Sequence, residues 1–235
     1  MKKIFLVFVL FTLSCDNEPV NVDVLISSGT IHDGSGTKGY IGNVAIKNDT
    51  IFYVGKKNNF LANQTIDATG KVVSPGFINM LSWGYNTLMQ DGRSLSDLKQ
   101  GVTLEVFGEG TSPGPRGSIK NNNYVSFGEA MEKLESSGVS TNIASYLGSA
   151  TVRIQEIGFA NRKATSEEMN SMKNIVRIAM EEGAMGIGSS LIYAPGDYAD
   201  TDELVELSKI ASSYGGSSYI RSFHTVYPCF CSTFL

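Results

Sequence analysis

The stretch Ser74-Pro75-Gly76-Phe77-Ile78-Asn79 marks the point at which the pattern of the sequence changes. Before it, short runs rich in β-branched and apolar residues predict strands, and Asn48-Asp49 between two such runs predicts a hairpin turn. After it, strand-like runs alternate with helical ones, which is typical of a parallel sheet with right-handed crossovers. The sequence therefore predicts a small β segment over residues 22–74 and an α/β region over residues 75–222.

The clearest helix of the α/β region is predicted from Ser166 to Glu182. Thr165 followed three residues later by Glu168 forms the sequence pattern of a capping box. Methionine and other apolar residues recur at helical spacing along this segment, so we expect them to pack in the core. Asp200 with Glu203 predicts the start of a second capped helix.

The composition excludes several classes of protein. The chain has 235 residues, of which 42% are hydrophobic and 18% charged, and this composition argues against a wholly disordered chain. No apolar run in the sequence is long enough to suggest a mid-chain membrane span. The formal net charge is −4, and no basic stripe indicates a nucleic-acid partner. Only two histidines and three cysteines are present, which is few for a hydrolase whose metal is bound through histidine.

The amino terminus has the pattern of an export signal. Two lysines precede an apolar run from Ile4 to Leu13, and a Ser and Cys15 follow. This order resembles a bacterial lipoprotein signal, so we expect a signal peptide over residues 1–14, lipidation at Cys15 and a polar tether over residues 15–21. The expected location is the cell envelope, periplasm or outer membrane, with a lipid anchor. The alternative is ordinary cleavage with an incidental cysteine.

Five segments in order carry a resemblance to a known family. Each contains at least one glycine, and they are residues 28–36, 73–78, 99–103, 144–153 and 183–199. Together they resemble the amidohydrolase superfamily, and most closely the N-terminal part of the N-acyl-D-amino-acid deacylase (D-aminoacylase) family. The resemblance runs from about Val22 to Ile220, and the Tyr193-Ala194-Pro195-Gly196 segment is the most specific to the deacylases.

The resemblance implies a fold and a chemistry. The fold would be α/β, the N-terminal half of a metal-dependent-hydrolase (β/α)8 (TIM) barrel preceded by a small β-sandwich segment. The activity would be that of a hydrolase acting on the linear amide of N-acyl-D-amino acids, with water activated by Zn²⁺. The implied partner is a small-molecule N-acyl amino acid, in addition to the membrane that the lipid anchor at Cys15 contacts.

The metal ligands of the family are only partly matched. The family's first barrel strand ends in Asp-x-His-x-His, and here Leu81 and Trp83 occupy the two histidine positions. Neither side chain binds zinc. Where the deacylases place a cysteine ligand after the second strand, this sequence has Glu109 between two glycines. A carboxylate oxygen can bind zinc, so Glu109 is the candidate metal ligand, and a solvent-exposed loop carboxylate is the alternative.

Three residues are candidates for substrate binding. Arg153 is suited to a substrate carboxylate, and a surface ion pair is its alternative role. Ser190 and Tyr193 follow the fourth barrel strand, and Tyr193 would donate to the developing oxyanion or else pack over the barrel mouth. His32 lies in the β segment, so we expect a structural role for it.

The last residues break the pattern. We expect residues 223–235 to be an aberrant tail, and the sequence then to be a truncated or frameshifted reading frame. The catalytic base, an Asp in the family, would lie beyond the C-terminus, so no catalytic residue is assigned and the chain is expected to be inactive. The alternatives are a non-catalytic exported lipoprotein that binds a ligand, and an amidohydrolase for dipeptides that contain a D-amino acid.

Overall fold

The computed structural model describes residues 18–118 and 121–221. The predicted signal peptide, Cys15 and the tail over residues 223–235 lie outside this part of the chain. The chain divides into two compact units, one ending at Pro75 and the other beginning at Gly76. No helix among the described residues is both long enough and apolar enough to cross a membrane.

The described residues of the first unit, 18–75, form one five-stranded β-sheet. Its strands are β1 (Val20–Ile31), β2 (Tyr40–Lys47), β3 (Thr50–Gly55), β4 (Phe60–Asp67) and β5 (Val72–Val73). They lie in the order β3-β2-β1-β4, with β5 paired to the end of β1.

The predicted hairpin of the first unit is confirmed. It joins the antiparallel strands β2 and β3, and φ is positive at both Asn48 (49°) and Asp49 (60°), as the tight turns of two-residue hairpins require. His32 also lies in this unit, where its ring packs against Gly39 and leaves no space for a side chain there.

The second unit alternates parallel strands with helices. The strands are β6 (Phe77–Asn79), β7 (Val102–Phe107), β8 (Asn142–Ser145), β9 (Leu147–Gly148), β10 (Gly186–Ser190) and β11 (Ser217–Arg221). They pair in the orders β6-β7-β8 and β9-β10-β11, and Tyr146 alone separates β8 from β9. The helices are α1 (Tyr85–Leu88), α2 (Leu95–Leu98), α3 (Phe127–Ser137), α4 (Ser149–Glu156), α5 (Ser166–Glu181) and α6 (Thr201–Ser213).

This arrangement is that of a partial (β/α) barrel, as the sequence predicts. The capping box of α5 is present, because the Thr165 side chain accepts from the Glu168 backbone and the Glu168 carboxylate accepts from the Thr165 backbone. The apolar stripe of α5 is buried at Met172, Val176 and Ala179, where it packs with residues of β10 and α6. The predictions of a capped α5 and of its core-facing methionine are thus confirmed.

Glycines bring the carboxyl ends of three strands into close approach. A Cβ atom added to Gly188 would lie 2.1 Å from the carbonyl oxygen of Gly108, and one added to Gly148 would lie 2.3 Å from that of Gly110. A Cβ atom on Gly110 would lie 2.9 Å from the Cβ atom of Ser190. Because no side chain separates these backbones, the loop after β7 lies against the end of β9 and against β10.

Candidate functional site

A cleft of about 370 Å³ opens in the second unit, beyond the carboxyl ends of β6 and β7. Ser82 and Trp83 contribute one wall from the segment after β6, and Glu109 lies on the loop after β7. Arg116 lines the cleft from the same long loop, and α4 contributes Thr151, among other residues. In barrels of this type the carboxyl ends of the strands carry the active site, so the cleft is at the position where chemistry is expected.

Glu109 is held inside this cleft on a tight loop. Its neighbours Gly108 and Gly110 have φ values of 94° and 87°, which L-residues with side chains rarely adopt. The side chain of Glu109 is only 5% exposed although it lines the cleft. The alternative of a solvent-exposed loop carboxylate is therefore wrong, whereas a role in metal binding stays a prediction.

A second buried carboxylate, Glu105, lies on β7 and was not singled out from the sequence. It is 2% exposed and accepts hydrogen bonds from three hydroxyl groups, those of Ser82 (2.6 Å), Ser94 (2.5 Å) and Thr141 (3.0 Å). These hydroxyls satisfy the carboxylate without a cation, so Glu105 ties the segments around β7 together. The signal available in the sequence was an acidic residue between the apolar Leu104 and Val106 of a predicted strand.

Arg116 was likewise not predicted from the sequence. Its guanidinium lies 5.2 Å from the centroid of the Tyr85 ring and donates to the Tyr85 hydroxyl at 3.0 Å. A further hydrogen bond runs to the carbonyl oxygen of Pro113 at 3.1 Å. A cation stacked on an aromatic ring and bonded at two nitrogens is fixed in orientation before any ligand arrives.

Arg153 has a different environment from the one expected. Its side chain is 0% exposed, pairs with Glu203 of α6 at 2.5 Å and donates to the backbone carbonyl of Arg162. Burial raises the pKa of Glu203, and the hydrogen bond from Arg153 opposes that rise. Because the guanidinium is enclosed and already paired, the structure corrects its assignment from substrate binding to the joining of α4 and α6.

The other two substrate candidates lie at the carboxyl end of β10. Ser190 is 2% exposed, packs on Gly110 beside Glu109, and its hydroxyl has no hydrogen-bond partner among the described residues. Tyr193 is 57% exposed, and its ring meets that of Trp83 edge-on with centroids 6.4 Å apart. Both residues therefore adjoin groups that line the cleft, and their binding role stays a prediction.

The described residues do not complete a zinc site. Across residues 18–118 and 121–221 no three His, Cys, Asp or Glu side chains form a group that could hold a metal ion. Leu81 and Trp83, which the family resemblance aligns with two histidine ligands, are exposed apolar side chains that cannot bind zinc. A catalytic zinc takes three protein ligands, so Glu109 supplies at most one of them.

Known proteins resemble this chain in sequence and in fold. No family model matches the chain. A D-aminoacylase from Alcaligenes xylosoxydans xylosoxydans is 28% identical over 214 residues, which are 86% of this chain and 44% of that protein. The crystal structure of a D-aminoacylase described as defining a novel subset of amidohydrolases superposes with a TM-score of 0.74 at 28% identity. It covers 84% of this chain and 44% of that one.

The chain is similar in sequence and in fold to part of the D-aminoacylases. An N-acyl-D-aspartate deacylase from the same organism is 25% identical over 217 residues, 87% of this chain and 44% of that enzyme. A structure of N-acyl-D-glutamate deacylase from Bordetella bronchiseptica, complexed with zinc and a phosphonate mimic of the tetrahedral intermediate, shares the fold. Its TM-score is 0.76 at 24% identity, over 85% of this chain and 45% of that one. The chain thus spans less than half the length of the D-aminoacylases that it matches.

Proposed function

We propose that this chain is an amidohydrolase-like protein whose cleft binds N-acyl-D-amino acids. The observation that carries the proposal is the position of the cleft, which lies beyond the carboxyl ends of β6 and β7 in a D-aminoacylase-like partial barrel. The cleft combines an exposed aromatic surface at Trp83 with two groups of opposite charge, Glu109 and Arg116. An acyl chain, an amide and a carboxylate are complementary to such a surface.

The roles proposed for individual residues follow from their places. Glu109 offers a carboxylate oxygen, which can bind a cation or accept a proton from water. Tyr193, which lies against Trp83, is proposed to donate from its hydroxyl to the carbonyl oxygen of the amide. Ser190 adjoins the Glu109 loop with an unpaired hydroxyl, and we propose that it contacts the same substrate.

The chain by itself is proposed to bind the substrate without turning it over. The zinc chemistry of the related deacylases needs a ligand set that the described residues do not supply. Glu109 alone cannot hold a catalytic zinc in place, so hydrolysis through a metal is not expected of these residues.

Binding and turnover are tested separately. Trp83 is the single tryptophan of the chain and lines the cleft, so its fluorescence reports occupancy. Saturable binding of N-acetyl-D-leucine, weaker binding of the L-enantiomer and no release of D-leucine with added Zn²⁺ are the expected results. Absence of binding by the folded chain would overturn the proposed substrate. Stoichiometric zinc together with D-leucine release would overturn the proposed lack of turnover.

We also propose that residues 1–14 direct export and that Cys15 is lipidated, which places the protein in the cell envelope. The support is the order of lysines, apolar run, serine and cysteine in the sequence. Expression of the full chain in a bacterial host with labelled palmitate tests this. The label is expected in the membrane fraction for the native chain and absent for Cys15→Ser. Equal labelling of both chains, or of neither, would overturn the lipid anchor.

A further inference from the structure

The geometry points to Arg116 as the group that binds the carboxylate of the ligand, the task that the sequence assigned to Arg153. This inference rests on the proposed function for the identity of the ligand, but not for the presence of an anion site. The ligand class is a small organic acid with an apolar group next to its carboxylate.

Arg116 is accessible from the cleft, whereas Arg153 is not. Arg153 has no exposed surface and is paired with Glu203, whereas Arg116 is partly buried and lines the cleft. A guanidinium carries five N–H donors, and the hydrogen bonds to Tyr85 and Pro113 use two of them. The remaining donors suit the two oxygens of a carboxylate.

Arg116 is held in one orientation by its neighbours. The Tyr85 ring supports the guanidinium from one face, and Tyr85 itself is only 9% exposed. The backbone of Arg116 is fixed as well, because it forms an isolated antiparallel bridge with Val125. An arginine held in this way loses little conformational entropy when a ligand binds.

The groups around Arg116 suit a ligand that has a carboxylate and an apolar part. Arg116 is a cation that lines the cleft, and a charge-assisted hydrogen bond from it suits a ligand carboxylate. Exposed Trp83 offers an apolar surface in that cleft for the rest of the ligand. A ligand whose carboxylate binds Arg116 and whose apolar group contacts Trp83 is therefore complementary to both residues.

The test uses Trp83 fluorescence and three probes on the full chain: N-acetyl-D-leucine, N-acetyl-D-leucinamide and 4-methylpentanoate. The first and last carry a carboxylate, whereas the amide does not. In the native chain, both carboxylates are expected to bind at least about tenfold more tightly than the amide, since a charge-assisted hydrogen bond is lost with the carboxylate.

The variants are Arg116→Gln, Arg116→Lys and, as the matched control, Arg177→Gln. Arg177 lies on the surface of α5, where it pairs with Glu181. Arg116→Gln is expected to weaken both carboxylates by about tenfold or more and to leave the amide unchanged. Arg116→Lys keeps the charge but not the fork of donors, so an intermediate loss is expected. Arg177→Gln is expected to bind as the native chain does.

The outcomes separate this inference from the proposed function. If the native chain binds the amide as tightly as the acid, or if a folded Arg116→Gln chain keeps the carboxylate preference, the inference is overturned while the substrate class stands. If 4-methylpentanoate binds through Arg116 but N-acetyl-D-leucine does not, the inference stands and the proposed substrate fails. If Arg116→Gln does not fold, the Arg116→Lys chain is measured in its place. Unchanged carboxylate affinity in that chain would overturn the proposal that the paired N–H donors of the Arg116 guanidinium bind the carboxylate.

Discussion

The Ser82 hydroxyl donates to the Glu105 carboxylate over 2.6 Å, which ties the segment after β6 to the middle of β7. Ser82 lines the cleft, whereas Glu105 is buried behind it. The same carboxylate accepts from Ser94 and Thr141, so three other segments of the second unit converge on this side chain of β7. A buried acid, rather than an apolar residue, thus fixes this wall of the cleft.

Removal of the Glu105 carboxylate is therefore expected to destabilise the protein. Glu105→Ala leaves three hydroxyls without their acceptor and opens a cavity, so a loss of about 2–4 kcal/mol in the free energy of unfolding is expected. Glu105→Gln should cost less, because its amide oxygen still accepts and the hydroxyls can rotate to accept from its NH₂ group. Urea denaturation followed by circular dichroism measures both. A Glu105→Ala chain as stable as the native chain would show that the three hydrogen bonds to Glu105 do not stabilise this wall of the cleft.

The buried pair of Arg153 and Glu203 gives a prediction with its own control. Arg153→Met leaves a carboxylate enclosed without a cation, so a loss of about 3–5 kcal/mol in the free energy of unfolding is expected. The double variant Arg153→Met, Glu203→Leu removes both charges and is expected to recover most of that loss. The urea midpoints of the native, single and double variants measure the coupling. Additive losses in the double variant would contradict the structural role given to this pair.

Local signals in the sequence predicted much of the second unit. Asp200 predicted a helix start, and its side chain does accept from the Glu203 backbone at the start of α6. The Glu203 side chain, however, does not complete a capping box but turns inward to Arg153. The sequence spacing that defines a cap is local, whereas the contact to Arg153 spans 50 residues and depends on the packing of α4 against α6.

The site was predicted less completely for the same reason. Glu109 was found because glycines flank it, and a glycine on each side is a signal that can be read from adjacent residues. Arg116 gave no such signal, since its importance arises from the Tyr85 ring, which lies 31 residues away. Only the folded loop shows that Arg116 lines a cleft and that Arg153 does not.

The ion pairs of α6 predict how stability depends on pH. Hydrogen bonds from Lys173 and then Lys209 lower the pKa of Glu206 to about 2 from its ordinary value of 4.5. The folded state therefore holds fewer protons than the unfolded state between these two values, so stability is present above about pH 4.5 and is lost as the pH falls toward 2.

Glu206→Gln is expected to reduce the loss of stability between about pH 4.5 and 2. Above about pH 6 it is expected to leave the pH dependence of stability almost unchanged. Urea denaturation at intervals from about pH 2.5 to about 7 measures how the free energy of unfolding changes with pH. This range brackets the titration of a carboxyl group. Glu135→Gln on α3 is the matched control, because Glu135 is exposed and forms no ion pair among the described residues. An acid limb that is identical in the native and Glu206→Gln chains would contradict the prediction.

The close approach of the strand ends predicts a steric effect at Gly188. An added Cβ atom would lie 2.1 Å from the Gly108 carbonyl oxygen, which is backbone and cannot rotate away. Gly188→Ala is therefore expected to force β7 and β10 apart and to cost about 3 kcal/mol in the free energy of unfolding. Gly138→Ala is the control, because Gly138 has a φ of 80° but no atom within 4 Å of the added Cβ position.

The control should lose only about 1–2 kcal/mol, the cost of a left-handed backbone conformation for alanine. Because Gly188 lacks a positive φ, its loss reports the steric contact, whereas the loss at Gly138 reports backbone strain. The loops after β7 and β10 carry Glu109 and Tyr193, so Gly188→Ala should also weaken binding of N-acetyl-D-leucine measured by Trp83 fluorescence. A Gly188→Ala chain that is less perturbed than Gly138→Ala in stability, with native affinity, would show that the strand ends do not set the shape of the cleft.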